Sequence, residues 1–504
     1  LGLKSRWGFC GEEGAICLGE AESVWKDTQR AAETAYDRTS DCRFTSFVGY
    51  EWTAVLDQGK NLHRNVIFRN DRVPRSPVGW VDTRSASDLW DHLDRDCLSA
   101  DTGCDVLTIP HNSNISGGLM FESAKLEVSE EPRPLVDAAE ARRRQRMEPI
   151  VEIMQHKGSS ECAVGAGWSN DESCGFETLA YDSFGGGSSN FFSDPPRQAD
   201  ANNFVRWALT EGLNQEQALG ANGLKFGFIA STDTHIAAPG LTAENAQYPG
   251  HGGFGKGQGA ATAEEFSDNI EFGPGGLAVV WAEENSRDAI FEAMLRRETY
   301  GTSGTRPIVR FFGGWDYPED LCQSAELIAE AYAGGVPMGG DLPPVAEVAE
   351  VAEAAESEVA PRFLVTAMQD PGSASIPGMP LQRIQIIKGW LENGEHREEV
   401  FDVAGGDNGA TVNLKTCEPI GSGARTLCSV WSDPSFDSGS PAWYYARVLE
   451  NPSCRWSQYT CNAARVDCSR PDSVPEGLLA CCSETTRASI QERAWTSPIW
   501  YSPR

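Results

Sequence analysis

The fold is decided by residues 224–235, which read LKFGFIASTDTH. The first eight form an apolar run typical of a buried strand, and an acidic and an imidazole side chain follow it at once. Residues two apart in an extended segment point to the same side, so Asp233 and His235 can bind one divalent cation or two adjacent ones. The alternative is that Asp233 only supports His235 through a buried hydrogen bond. We interpret the stretch as a strand that ends in a metal site.

The same pattern, an apolar run followed by polar residues, recurs on both sides of this stretch. Four further runs are predicted to be strands: FTSFVGYEWTAV, RNVIFR, DVLTIPH and PIVEIM. Four stretches have helical periodicity: SASDLWDHLDRD, VDAAEARRRQRM, NNFVRWALTEGLNQEQAL and NSRDAIFEAMLRRE. Strands that alternate with helices predict parallel strands and an α/β fold, either a barrel or a doubly wound sheet. Active sites of such folds form where the strands end, so the polar residues there are the candidate site.

Two such residues lie near the start of the chain. Glu51, in GYEWT, follows an apolar strand, where a carboxylate is costly unless it is paired or bound to metal, and its two oxygens could bridge two cations. His63 opens the next strand beside Arg64 in NLHRNVIFR. We predict that His63 assists catalysis or orients a ligand; the alternative is a buried histidine whose hydrogen bonds are satisfied by the core.

Two more histidines follow predicted strands. His111, in LTIPHNSN, comes after a proline that rigidifies the turn, and Asn112 and Asn114 are predicted to position it or to contact substrate. An asparagine-rich turn with an incidental histidine is the alternative. His156, in PIVEIMQHKG, is a predicted metal ligand supported by Glu152, although the two residues could also share one face of a helix.

A turn around Gly301, in RRETYGTSGTR, is a candidate anion site. It offers backbone N–H groups and hydroxyls to a group such as phosphate. We predict that Tyr300 and Ser303 contact substrate and that Arg306, with Arg64, stabilises the charge that develops during the reaction. The structural alternative is a helix end that leads into a strand.

Several classes of protein are disfavoured. A nucleophile elbow of the form G-x-S-x-G and a P-loop are both absent from the sequence, so a water activated by bound metal is the most economical mechanism. The net charge of −31 repels phosphate backbones and disfavours a nucleic-acid partner. No apolar run approaches the roughly 20 residues of a membrane-spanning helix. We therefore expect a small-molecule substrate.

The fifteen cysteines are scattered, which fits disulfides in an oxidising, periplasmic or secreted location. Because the count is odd, one thiol is free or paired outside this sequence. Three local pairs are predicted: Cys10 with Cys17, Cys162 with Cys174, and Cys454 with Cys461.

The motifs divide the chain into three predicted parts. Residues 1–315 carry all of the site residues. Residues 316–362 form a connecting segment that includes PPVAEVAEVAEAAESEVAP, an acidic low-complexity stretch. Residues 363–504 contain alternating, turn-bounded β segments and predict a β-rich module stapled by most of the later cysteines.

The series G-x-E, a histidine opening a strand, P-H-N, a strand-end histidine and D-x-H resembles the polymerase and histidinol phosphatase (PHP) superfamily. The wording GYEWT, NLHRNVIFR, IPHNSN, IVEIMQHKGSSEC and FGFIASTDTH looks like a large bacterial branch known only as a domain of unknown function. The resemblance implies a distorted (β/α)7 barrel, two or three Zn, Mn or Fe ions, and phosphoester hydrolysis. Carried over by position, Glu51 would bridge the metals, and the other ligands would be His111, His156, Asp233 and His235. His63 matches a histidine whose duty varies.

The chain also departs from the superfamily pattern. Members begin with an H-x-H strand motif and a D-H pair, and neither occurs here, while LGLKSRWGFC resembles the segment just after that pair. We expect that the barrel is N-terminally incomplete in this sequence and that further histidine ligands precede it.

These observations predict a metal-dependent hydrolase of phosphate mono- or diesters, in which five far-apart donors converge on one pocket. Two other hypotheses stay open. The same metals could hydrolyse a carboxylic ester, an amide or a sulfate ester. The protein could also be a non-catalytic binding or surface protein whose metals are structural.

Overall fold

The computed structural model describes residues 6–503 except 57–58, 128–131, 163, 165–168, 180, 184–198, 246–270, 348–358, 374–376 and 485. The chain divides into two compact units, each assembled from separate segments. Unit 1 comprises Leu1–Val151, Ala180–Phe226 and Val280–Glu298. Unit 2 comprises Glu152–Leu179, Gly227–Val279 and Thr299–Arg504. The predicted boundaries at residues 315 and 363 both fall inside the last segment of unit 2.

The described α-helices are short apart from the first. They are α1 (Ala15–Ala35), α2 (Ala86–Leu93), α3 (Ala138–Met147), α4 (Val205–Leu219), α5 (Arg287–Leu295), α6 (Leu327–Gly334) and α7 (Trp456–Ala463).

The strands of the first half are β1 (Val48–Trp52), β2 (Val55–Leu56), β3 (Lys60–Asn61), β4 (Arg64–Phe68), β5 (Val106–Pro110), β6 (Ile150–Gln155), β7 (Gly158–Ser159), β8 (Gly227–Ala230), β9 (Leu277–Val280) and β10 (Thr299–Thr302). Those that follow are β11 (Ile308–Gly314), β12 (Gly335–Pro337), β13 (Asp341–Leu342), β14 (Arg362–Met368), β15 (Leu381–Glu392), β16 (Glu395–Gly405), β17 (Thr411–Val412), β18 (Pro419–Ile420), β19 (Thr426–Ser432), β20 (Ala442–Glu450), β21 (Ser453–Cys454), β22 (Ser489–Ile490), β23 (Arg493–Thr496) and β24 (Ile499–Tyr501).

Unit 1 is organised by a three-stranded antiparallel sheet in the order β1-β4-β5. Every residue of β5 is buried, so the side chains on both faces of this strand pack in the interior. Helix α2 begins at a capping box. The Ser85 hydroxyl accepts a hydrogen bond from the backbone N–H of Asp88, and the Asp88 carboxylate accepts one from the backbone N–H of Ser85. The register aligns Trp52 with Arg64 and Arg64 with Pro110, which brings one end of all three strands together.

Unit 2 is mostly β-sheet. An eight-stranded sheet runs β13-β24-β20-β23-β10-β9, with β15 and β16 added beside β20. A four-stranded sheet runs β12-β11-β14-β19, and a three-stranded sheet runs β7-β6-β8. All nine residues of β20 are buried because the strand lies between β15 on one side and β23 and β24 on the other. The predicted β-rich C-terminal region is confirmed.

The described part of the chain is a mixed α/β structure, and the strands of both units form separate sheets of which none closes into a barrel. The predicted runs become β1, β4, β5, β6 and β8, and the helical stretches become α2 to α5. The expectation of parallel strands is wrong for β1, β4 and β5, which pair antiparallel, whereas β13 pairs with β24 in parallel. Helix α1 was not predicted because its apolar face is narrow, and Trp25 and Ala32 are its buried residues.

All fifteen cysteines lie in the described ranges. The predicted pairs Cys10–Cys17 and Cys162–Cys174 are confirmed, and Cys42 is the free thiol. The predicted bond between Cys454 and Cys461 is wrong, since helix α7 begins between them and each bonds elsewhere. The other five disulfides are Cys97–Cys104, Cys322–Cys428, Cys417–Cys454, Cys461–Cys481 and Cys468–Cys482.

Among the described helices, none combines the length and the apolar character needed to cross a bilayer. Most of the acidic low-complexity stretch, residues 348–358, lies outside the described residues.

Candidate metal centre

The site residues of unit 1 lie at the shared end of the β1-β4-β5 sheet. Glu51 is in β1, His63 directly precedes β4 and His111 directly follows β5. The backbone N–H of His111 donates to the carbonyl of His63 at 3.2 Å, which extends the β4–β5 pairing by one step. The sheet therefore brings Glu51, His63 and His111 together, and we call them the unit 1 cluster.

The imidazole of His63 is held by Glu51. Its Nδ1 lies 2.5 Å from Glu51 Oε1, and the side chains are 12% and 26% exposed. Because a carboxylate accepts, this contact holds the proton of a neutral imidazole on Nδ1 and leaves the lone pair on Nε2. Nε2 is buried and has no hydrogen-bond partner among the described residues. The His111 ring lies 4.6 Å from the His63 ring between centroids, so two imidazoles face one small volume.

The other predicted residues of unit 1 are buried. Asn112 and Asn114 follow His111 into the interior with no exposed area, so any contact with substrate would need an opening beside them. Arg64 is in a buried ion pair, in which its Nε donates to Glu148 at 2.9 Å with both side chains at most 3% exposed, and its catalytic role stays a prediction. Its Nη1 also donates to the carbonyl of Leu62 at 2.6 Å. Arg64 thus neutralises a buried carboxylate and stabilises the fold.

In unit 2 the end of β6 meets the segment after β8. His156 is 2% exposed, and its Nε2 lies 3.3 Å from Asp233 Oδ2. The His156 and His235 rings are stacked with 6.1 Å between centroids, and His235 is exposed. The predicted ligands of this unit, His156, Asp233 and His235, are therefore close together, and we call them the unit 2 cluster.

His156 is a neutral imidazole at physiological pH. Burial and then the adjacent Lys157 ammonium lower its pKa, Asp233 opposes them, and the net result is a pKa of about 4. A neutral imidazole is the form that binds metals. Lys157 Nζ lies 2.7 Å from Nε2, and since an ammonium only donates, Nε2 carries the lone pair. The other ring nitrogen, Nδ1, is buried with no hydrogen-bond partner in the described ranges.

Asp233 departs from the extended geometry expected for the D-x-H motif. Strand β8 ends at Ala230, and Asp233 has φ +51°, in the left-handed region that side chains other than glycine rarely adopt. The carboxylate is held there by Gln155 Nε2, which donates to Oδ2 at 3.0 Å, and by Lys157. A backbone in this region costs free energy and is frequent at ligand sites, where the surroundings hold it in place.

Residues 272–276 pack over the unit 2 cluster. The Phe272 ring stacks on His156 with 5.6 Å between centroids. Gly275 has φ +87°, and a Cβ there would lie 2.8 Å from the Ser231 carbonyl oxygen, so only glycine lets the chain approach this closely. The contact removes one face of His156 from solvent.

Nearly the whole chain matches a known protein family. A family model with the description "Protein of unknown function (DUF3604)" matches residues 10–503. The chain belongs to the DUF3604 family. No curated protein and no solved structure shows a significant match to it.

The predicted anion turn of the DUF3604 chain is internally bonded. The Tyr300 hydroxyl donates to the carbonyl of Pro307 at 2.9 Å, and the Ser303 hydroxyl donates to the Glu492 carboxylate. Gly301 packs against β8, where a Cβ would lie 2.8 Å from the Ile229 carbonyl carbon. Both hydroxyls stabilise unit 2 in this state, and their predicted contacts with substrate stay a prediction. Arg306 is exposed, with its backbone N–H donating to Asp370 at 2.8 Å.

One further group of the DUF3604 chain has the spacing of a metal site without its chemistry. Ligand atoms of Cys162, Asp171 and Cys174 lie within 4.8 Å of one another. The two sulfurs form a disulfide, which removes the thiolates that a metal needs, and Asp171 pairs with Arg447 at 2.8 Å. We conclude that these three residues stabilise the fold and do not bind a metal.

Both clusters offer donors that suit a divalent cation. The lone pair of His63 Nε2 is buried and unpartnered in the described structure. His156 Nε2 and Asp233 Oδ2 both contact the Lys157 ammonium, so a positive group already lies where imidazole and carboxylate converge. Nitrogen and carboxylate oxygen are the ligands of Zn, Mn and Fe. Sequence reasoning missed Lys157, because a lysine beside a histidine carries no recognisable spacing.

Proposed function

We propose that this DUF3604 protein is a metal-dependent hydrolase, with phosphate mono- or diesters of small molecules as the favoured substrates. The main observation behind this proposal is that the neutral His156 imidazole and the Asp233 carboxylate both contact one positive group, the Lys157 ammonium. Burial keeps His156 uncharged, and the strained backbone of Asp233 is retained at a point where it serves no strand or helix. Together these features suit cation binding better than a purely structural hydrogen bond.

The chain's own groups have distinct duties in this proposal. His156 and Asp233 hold a cation in unit 2, with His235 at the exposed side, and His63 and His111 supply nitrogen donors in unit 1. Glu51 fixes the His63 ring by accepting from Nδ1. Two or three bound Zn, Mn or Fe ions would lower the pKa of a coordinated water and polarise a phosphoryl oxygen. Lys157 is then free to donate to an anionic oxygen of the substrate.

The proposal includes the finer features that the PHP resemblance implies. The order of the motifs, from Glu51 to His235, supports descent from a distorted (β/α)7 barrel. The seven disulfides among the described residues support a periplasmic or secreted location, since such bonds persist in oxidising compartments.

Metal content and hydrolysis test the proposal together. The full chain, with its upstream coding sequence where that exists, is loaded with Mn²⁺ or Zn²⁺ and assayed on p-nitrophenyl phosphate and bis-p-nitrophenyl phosphate. We expect tightly bound metal and turnover, with turnover reduced about 100-fold or more in Asp233→Asn and His156→Ala. His92→Ala is the matched control, because His92 lies on helix α2 and its ring contacts Arg95 and Asp96, which belong to neither cluster.

Each outcome has a meaning. Turnover that survives both substitutions contradicts the assignment of the site. Bound metal without turnover on either phosphate ester, but with turnover on p-nitrophenyl acetate or sulfate, moves the substrate to another ester. A protein that binds neither metal is not a metallohydrolase.

A further inference from the structure

Unit 2 contains a cavity of about 400 Å³ that none of the hydrolase residues touches. Its floor is formed by β15 and β20. Lys388, Trp390 and Glu392 alternate along β15 and therefore point to the same face. In the antiparallel register Lys388 is opposite Tyr444, and Trp390 is opposite Ala442. Because a methyl group faces an indole, the sheet has a hollow beside Trp390.

The wall of the cavity is the segment that precedes β20. Ser435, Phe436, Asp437 and Ser440 line it, and Asn393 closes the side at the turn between β15 and β16. Phe436 is fixed by Tyr501, with 4.9 Å between ring centroids, so this aromatic wall is rigid. The volume is within the range of small-molecule sites.

The charges in the cavity disfavour anions. Lys388 Nζ donates to Asp433 Oδ2 at 2.7 Å, to the Ser435 carbonyl at 2.8 Å and to the Ser435 hydroxyl at 3.1 Å. All three of its N–H bonds are used, so the ammonium has no hydrogen left for a ligand. Asp437 then presents a carboxylate to the space, which repels a phosphate or a carboxylate ligand, whereas the Glu392 carboxylate is paired with Arg397.

The same floor disfavours cations. The Lys388 ammonium lies 4.9 Å from the Trp390 ring centroid, so its positive charge repels a cationic ligand that approaches the indole. A neutral ligand is repelled neither by the carboxylate of the cavity nor by the Lys388 ammonium.

Aromatic and polar groups are combined in a way that suits a hydroxyl-rich ring. Half-buried Trp390 and Phe436 can pack against the C–H face of a ring, whose hydrogens carry partial positive charge toward the negative π face. The Asn393 amide and the Ser440 hydroxyl can exchange hydrogen bonds with ring hydroxyls. Asp437 accepts from Gly439 N at 2.9 Å and from Ser440 Oγ at 3.0 Å, and a carboxylate has further lone pairs to accept from a ligand.

From this lining we propose that the cavity binds a neutral saccharide ring of one residue, with Trp390 as the stacking platform and Asn393, Asp437 and Ser440 as hydrogen-bond partners. The site is separate from the proposed metal clusters in its residues and its chemistry, so it stands whether or not the protein hydrolyses an ester.

The test uses the full chain and defined probes. Binding of the methyl glycosides of glucose, galactose, mannose and N-acetylglucosamine is measured by saturation-transfer NMR and calorimetry, with methyl phosphate and choline as charged probes. We expect at least one glycoside to bind and both charged probes to fail. Trp390→Ala weakens that binding about tenfold, which corresponds to about 1.4 kcal/mol and lies within the range of an aromatic contact.

Two variants make the result specific. Asn393→Gly removes the amide but keeps the turn, because Asn393 has φ +54°, which glycine adopts freely, and we expect weaker binding. Trp7→Ala removes a tryptophan that is 66% exposed elsewhere and leaves binding unchanged. Failure of all four glycosides to bind, undiminished binding in both Trp390→Ala and Asn393→Gly, or tighter binding of a charged probe overturns the proposal.

Discussion

The ammonium group of Lys157 lies 2.7 Å from Nε2 of His156 and hydrogen-bonds the Asp233 carboxylate, so a side chain of the protein fills the point where two proposed metal ligands converge. The side chain of Lys157 is only 8% exposed. A cation that binds these ligands must displace the ammonium or share the site with it. Lys157 and the metal therefore compete.

Replacing Lys157 tests this competition. We expect Lys157→Met, which keeps the length of the chain without its charge, to bind Mn²⁺ about tenfold more tightly, because the competing cation and its repulsion are gone. Calorimetric titration of the metal-free protein measures the affinity. Lys415→Met, at an exposed lysine of the same unit, is expected to bind as the wild type does. Unchanged or weaker affinity in Lys157→Met would show that the lysine does not occupy the metal position.

The two arginines predicted to be catalytic should differ in what they do. Arg64→Met leaves the Glu148 carboxylate buried beside Arg144 alone, and breaking a buried ion pair destabilises a protein by about 3 kcal/mol. Arg306→Met removes an exposed charge and changes stability by about 0.5 kcal/mol at most. Thermal unfolding at neutral pH compares the variants. If Arg64→Met unfolds at the wild-type temperature and loses only turnover, Arg64 is catalytic.

Glu492 should make unit 2 less stable as pH rises. Burial raises its pKa, the hydrogen bond from Ser303 opposes this, neighbouring Glu450 adds to it, and the net result is a pKa of about 8. The folded state thus binds a proton that the unfolded chain has lost, between the ordinary pKa of 4.5 and about 8. Stability falls with pH through this window.

The substitution that isolates this effect is Glu492→Gln, a neutral residue of the same shape that can still accept from Ser303. We expect it to raise the unfolding temperature more at pH 8.5 than at pH 5, with a stabilisation of about 1 kcal/mol or more at the higher pH. Exposed Glu319→Gln gives the baseline. An equal shift at both pH values would mean that Glu492 titrates normally.

Thiol counting tests the cysteine pairing. The denatured, unreduced protein should react with one equivalent of Ellman's reagent, which corresponds to Cys42, and the reduced protein with fifteen. Cys42→Ser should give no signal before reduction. A count of three in the unreduced wild type would mean that one disulfide does not form.

The elements that were predicted correctly from the sequence are those whose secondary structure is determined by their own local residues. Strands β5 and β8 are mostly apolar segments, and α2 carries its capping box in the sequence. Strand pairing depends on segments far away, which is why parallel neighbours were expected where β1, β4 and β5 are antiparallel.

The site was predicted in part for the same reason. His111 and His156 were assigned to strand ends and His63 to a strand start, and the fold brings His63 to Glu51 and His156 to Asp233. The left-handed backbone of Asp233 and the burial of Arg64 against Glu148 depend on tertiary contacts. The Cys454 disulfide was misassigned because closeness in sequence was taken for closeness in space.

Strand β10 pairs with β23, and Ser303 just after it bonds to Arg493, which is 190 residues further along the chain. The edge of β10 that pairs with β23 therefore stays uncovered during synthesis until β23 has been made. Such long-range pairing loses the conformational entropy of a large loop before the two strands make their stabilising contacts. This slows folding and leaves the nascent chain prone to aggregation. A cell that makes this protein must shield the unfinished sheet, and recombinant expression should succeed best where a chaperone can hold the chain until its last strands arrive.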